Sequence, residues 1–71
     1  MPESRGNRRG EQTRERLLDA AETLFAQKGF YGVTVRAIAR EAQSDPALVT
    51  YYFGGKRELF DAVLLRRAEQ L

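Results

Sequence analysis

The sequence predicts an all-α fold: three helices packed on one another, followed by the start of a fourth. Three observations carry this. Apolar residues recur at helical spacings through residues 17–25, 35–42 and 59–71. Alternating β-branched runs, the mark of a strand, never exceed a few positions. Capping and stop residues (Gly29, Thr34, Asp45-Pro46, Gly54-Gly55) fall between the periodic stretches.

The first helix is expected over residues 11–27. Leu17, Leu18, Ala21, Leu24 and Phe25 form its apolar face, and Thr13, Arg14, Arg16, Asp19, Glu22 and Thr23 cover the other side. Gly29 stops it, because glycine enters the left-handed conformation without a Cβ clash. Phe30 is then expected to fold back on the helix end. In the second helix Thr34 is the N-cap, its hydroxyl accepting from a first-turn amide. Val35, Ile38, Ala39 and Ala42 make its buried stripe, and Arg36, Arg40 and Glu41 point outward.

The third helix opens at Asp45-Pro46. Asp45 is a good N-cap, and proline suits the first helical position, where its missing N–H costs nothing. The helix carries Ala47 to Tyr52 and stops at Phe53-Gly54-Gly55. The fourth begins at Gly55 or Lys56, with Glu58 in the first turn, where the helix dipole favours an anion. Leu59 and Val63 continue one apolar stripe; Phe60, Leu64, Ala68 and Leu71 make a second, offset one. Three short helices cannot easily bury both. The second stripe is therefore expected to meet a partner surface, and the chain to be the front of a longer protein.

Composition narrows the function. The chain has 71 residues, enough for one small domain, with 42% hydrophobic and 31% charged residues. It has no cysteine and no histidine, which removes disulfides, thiolate metal sites, the commonest metal ligand and the commonest general base. No metal, cofactor or catalytic residue is expected. No apolar run reaches the roughly 18 residues of a membrane span, and the N-terminus lacks an apolar leader core; a cytoplasmic protein is expected. The net charge is only +2, but Arg5, Arg8 and Arg9 crowd a tail whose one acid is Glu3. Residues 1–10 are expected as a flexible basic arm.

The informative stretch is residues 34–53, TVRAIAREAQSDPALVTYYF. It reads as a helix, a three-residue connection and a second helix, the pattern of a helix-turn-helix. Ala39 supplies the small residue where the helices cross. Ile38, Ala42 and Val49 face inward, with the Tyr52 ring as a fourth. The second helix then exposes Pro46, Ala47, Leu48, Thr50 and Tyr51, none of them charged. Apolar contact with thymine methyls, together with hydroxyl or phenol hydrogen bonds, is the natural chemistry of such a surface in a major groove. Glu15, Asp19 and Glu22 are expected to keep the far side of the first helix acidic, and Arg66 and Arg67 to be solvated charges in register with Glu58 and Asp61.

With these residues in view, the chain resembles the tetracycline-repressor-type (TetR family) transcriptional regulators over roughly residues 13–64. The resemblance rests on TRERLLDAAETLFAQKGFYGVTVRAIAREA followed by YYFGGKRELFDAVL. It implies a DNA-binding domain over residues 11–55. A fourth helix over residues 56–71 then leads to a second, effector-binding and dimerising domain outside this chain. By the same resemblance Thr34, Tyr52 and Lys56 occupy phosphate-contact positions. Arg36 can reach a base or the backbone, and Pro46, Ala47, Leu48, Thr50 and Tyr51 form the reading surface. Gln43 stands where the family usually has glycine, and Ser44 where it has an apolar residue. The turn is therefore expected to differ in backbone angle or to be more solvated.

Two function classes follow. One is a sequence-specific DNA-binding domain of a regulator, usually a repressor, acting as a homodimer on double-stranded DNA. The other is a helical protein-interaction module that uses the apolar stripe of the last helix, without DNA.

Overall fold

In the computed structural model residues 5–70 are described, with side chains from residue 10 onward. Four helices follow in order: α1 (Arg5–Lys28), α2 (Val35–Ala42), α3 (Ala47–Phe53) and α4 (Lys56–Glu69). No strand occurs among the described residues. The core is drawn from all four helices and the turn before α2: Leu17, Leu18, Ala21 and Phe25 of α1, Val33, Ile38 of α2, Val49 of α3, and Leu59 and Val63 of α4. Leu17, Ile38, Val49 and Leu59 are fully buried. Val33 joins them from the turn before Thr34, where no periodic signal marks it.

Helix α1 begins at Arg5, six residues before the expected start at Glu11. A helix nucleated downstream extends backward at one hydrogen bond per residue, and arginine is a good helix former. The part of the expected arm that is described is thus helical, and residues 1–4 lie outside the description. Thr13, expected on the outer side, is buried at 8% exposure.

The helix ends follow local chemistry. Gly29 takes φ +78°, and its N–H reaches the Phe25 carbonyl at 2.8 Å, closing α1. Thr34 Oγ1 accepts from the Ala37 N–H at 3.0 Å, capping α2. Asp45 Oδ1 accepts from the Ala47 N–H at 2.8 Å, and Pro46 already has helical angles of −55° and −29°. The Arg16 Nε donates to the Ala42 carbonyl at 3.3 Å, so α1 satisfies an orphan acceptor at the end of α2.

The turn between α2 and α3 departs from expectation in an instructive way. Gln43 adopts φ 56° and ψ 49°, the left-handed geometry that glycine would have taken. The backbone path is thus kept and the residue absorbs the steric cost. Ser44 is not more solvated. Its hydroxyl is buried without a hydrogen-bond partner.

Two seams hold α4 to α1. In the apolar one, Phe60 meets Phe25 edge-on at 5.0 Å and Phe30 at 5.1 Å. In the charged one, Arg66 reaches Glu15 at 3.0 Å, Asp19 at 2.9 Å and Glu22 at 2.6 Å, and Arg67 reaches Glu22 at 2.9 Å. These arginines were expected as solvated charges opposite Glu58 and Asp61. Instead they cross to α1, because the row 15, 19, 22 lies along one helical face that packs on α4. The acids expected to repel phosphate are consequently compensated. The second α4 stripe is only partly covered: Phe60 packs on the core, while Leu64 and the neighbouring Leu65 are 49% and 62% exposed. Leu71 lies outside the described residues.

Candidate nucleic-acid interface

Helix α3 has two faces set by its spacing. Leu48, Val49 and Tyr52 share one: Val49 is fully buried, and Leu48 and Tyr52 pack half-buried on the core. Ala47, Thr50 and Tyr51 share the other and are exposed, Tyr51 at 77%. Pro46 is exposed at the helix start. Leu48, expected on the outer surface, is thus only partly exposed. It is the residue following Ala47 at the helix start, and its turn of about 100° brings it toward Tyr52. The Tyr52 ring packs on the core as expected, half-buried, with its hydroxyl beside Gly10 of α1.

The exposed phenol is not loose. Tyr51 and Tyr52 meet edge to face with centroids 4.9 Å apart. Tyr52 in turn borders α1, where a Cβ added at Gly10 would stand 3.2 Å from the Tyr52 hydroxyl oxygen. Glycine at position 10 lets the helix pass this ring without pushing it. A rigid aromatic of this kind presents area at low entropic cost.

Cations and donors flank α3. Lys56, in the first turn of α4, is half-buried, with its Nζ 4.3 Å from the centroid of Phe30. Thr34 and Arg36 are exposed at the start of α2. The Thr34 cap uses an oxygen lone pair, which leaves the hydroxyl proton available for an anion. Arg14 of α1 lies 4.9 Å over the Phe53 ring, beside the end of α3. The sequence reading left Arg14 on the solvated side of the first helix. The contact is tertiary, with no local spacing to announce it.

The arrangement is an uncharged, partly aromatic helix face, with Arg14 and Lys56 beside aromatic rings past its end and Thr34 and Arg36 exposed at the start of α2. Such a division of labour suits base edges in the middle and phosphates at the margin. The family model of bacterial regulatory proteins of the tetR family matches residues 17–63.

The chain belongs to the tetR family.

Its relatives agree with the geometry. It is 43% identical over 49 residues to the probable HTH-type transcriptional regulator YttP of Bacillus subtilis, covering 69% of this chain and 24% of that protein. It is 39% identical over 54 residues to the HTH-type transcriptional repressor NicS of Pseudomonas putida, covering 76% and 26%. Among solved structures it resembles HlyIIR, a hemolysin II transcriptional regulator. There the TM-score is 0.73 at 41% identity, over 76% of this chain and 30% of that one. The chain thus spans less than a third of the length of these relatives. What it contains is a tetR-type helix-turn-helix DNA-binding domain, all-α as the sequence predicts. The interaction-module alternative is not favoured by these relatives, which are named as transcriptional regulators.

Within this tetR-type domain the expected contacts sort by position. Ala47, Thr50, Tyr51 and Pro46 are exposed on or beside α3; Thr34 and Arg36 are exposed on α2; Lys56 and Tyr52 are half-buried beside aromatic rings; Leu48 is largely committed to the core. Away from α3, Arg66 holds the Glu22 carboxyl below its ordinary value of 4.5 through their hydrogen bond. Burial opposes this, and Arg67 adds to it. Burial pulls the Arg66 guanidinium down, but its bonds to Glu22 and Asp19 outweigh that and raise it.

Proposed function

We propose that this domain reads double-stranded DNA by laying α3 in the major groove. Pro46, Ala47, Thr50 and Tyr51 face base edges, with the outer edge of Leu48 beside them. Thr34, Tyr52 and Lys56 hold flanking phosphates, and Arg36 reaches a base edge or the backbone. The observation that carries this reading is the division of α3: Val49 fully buried behind, Tyr51 77% exposed in front. With no charge on the reading face, contact is to thymine methyls and through the Thr50 and Tyr51 hydroxyls.

The biological unit we propose is a cytoplasmic homodimer of a longer chain, acting as a repressor without catalysis. Two copies of α3 would then lie about 34–36 Å apart on one face of the duplex. A small-molecule effector would bind a segment outside these residues. The similarity to the repressor NicS supports the sign of regulation. A mobility-shift titration against salt tests the reading. Binding that falls steeply with salt is expected; salt-insensitive binding, or none to any duplex drawn from a random pool, would refute it.

A further inference from the structure

The turn between α1 and α2 holds a residue that the DNA-binding reading has not used. Tyr31 is 94% exposed, the most exposed large hydrophobic side chain among the described residues. An exposed phenol offers a ring and a hydroxyl donor to whatever approaches this turn. It is also fixed. Its ring stands edge-on to Phe30, with centroids 5.1 Å apart and planes at 90°. Phe30 is itself held by Phe25 at 5.9 Å and Phe60 at 5.1 Å. The same Phe30 ring carries the Lys56 ammonium at 4.3 Å. One half-buried phenyl group therefore touches both the Lys56 ammonium and the Tyr31 ring. Tyr31 also lies three residues before Thr34, whose hydroxyl opens α2.

We propose that Tyr31 is a further DNA-contacting residue whose hydroxyl donates to a backbone phosphate oxygen, and that Phe30 is the positioning residue for Tyr31 and Lys56 together. This rests on the assignment of Lys56 to a phosphate. A DNA strand offers a phosphate every roughly 3.4 Å along the axis, so two groups seated on one ring face phosphates that are close neighbours. The contact carries no sequence information, because it reaches the backbone rather than a base edge. A neutral phenol also displaces no condensed counterion, which separates its signature from that of the lysine.

The test uses the 71-residue chain, fluorescence anisotropy, and two probes. One is a 30-base-pair duplex enriched by the wild-type chain from a random pool; the other is an unselected duplex of equal length. Tyr31→Phe is expected to weaken both roughly 10- to 150-fold, the effect of one lost hydrogen bond to a charged acceptor, with the salt slope unchanged. Lys56→Ala is expected to lower the slope by about 0.9. Phe30→Leu is expected to weaken binding, and to add little once Tyr31→Phe and Lys56→Ala are combined, whereas Phe30→Tyr keeps binding. Wild-type affinity in Tyr31→Phe, with loss in Lys56→Ala, overturns this inference alone. Loss in Tyr31→Ala that Tyr31→Phe does not share overturns the hydroxyl contact. Wild-type affinity and slope in both Tyr31→Phe and Lys56→Ala overturn the inference and the reading beneath it. Should Phe30→Leu fail to fold by circular dichroism, the exposed Tyr31 variants still decide.

Discussion

The ammonium of Lys56 lies 4.3 Å from the centre of the Phe30 ring, joining the first turn of α4 to the turn that ends α1. A lysine on a flexible stem loses much rotamer freedom when it grips a ligand. Here part of that cost is met in the free protein by the aromatic face. The proposed phosphate site would thus be partly assembled before DNA arrives, by a ring packed against the core.

Lys56 should therefore act as a point charge of fixed location. Lys56→Ala should weaken binding to selected and unselected duplexes by a similar factor and remove about one phosphate from the salt dependence. Anisotropy titrations at several salt concentrations check this. A change confined to one duplex would assign Lys56 to a base.

The turn should be improvable. Gln43 holds φ 56° without being glycine, a conformation that costs an L-residue about 1–2 kcal/mol. Glycine gives back part of that gain in the unfolded chain. Gln43→Gly is expected to stabilise the domain by roughly 0.5–1 kcal/mol in urea unfolding. Ser44→Ala should also stabilise, because it removes a buried hydroxyl with no partner. Destabilisation by both would show that neither left-handed strain at Gln43 nor the buried Ser44 hydroxyl burdens the turn.

What the sequence made legible was local. Thr34, Asp45 and Gly29 do at the helix ends what short-range chemistry requires of them, and Ile38, Val49, Leu59 and Val63 are buried where helical spacing puts them. Ala47, Thr50 and Tyr51 are exposed on α3, the side on which the helix-turn-helix pattern puts them. The misses are tertiary. Arg66 was matched to carboxylates on its own helix, yet its partners lie on α1, which packs against α4 through the core. Thr13 and Val33 are buried by neighbours that no window of sequence contains. Leu48 was assigned by its place in the chain, whereas the helical turn carries it toward the core.

The charged seam gives stability a pH dependence of known sign. The Glu22 carboxyl is lowered in the folded protein by its bond to Arg66. Its contribution is therefore present in full above the ordinary value of 4.5 and is lost as pH falls through the lower folded value. Arg66 is raised above its usual range, so it stays charged throughout and adds no slope at working pH. Glu22→Gln should lower Tm at neutral pH, and the difference from wild type should close in strong acid. A difference that persists at pH 2 would mean that Glu22 acts by packing rather than charge.

The crossing of the helices should be sensitive to small cavities. Ile38 is fully buried between α2 and its neighbours. Ile38→Ala is expected to cost about 2–5 kcal/mol in urea unfolding. A loss below about 0.5 kcal/mol would place Ile38 outside the core.

The most direct measurement is the ratio of affinities for a selected and an unselected duplex, compared between wild type and Tyr51→Ala. If α3 reads bases through its exposed face, the ratio should fall by roughly 5- to 150-fold, the worth of one base contact at 1–3 kcal/mol, while affinity for the unselected duplex barely moves. An unchanged ratio in a folded Tyr51→Ala variant would contradict the account.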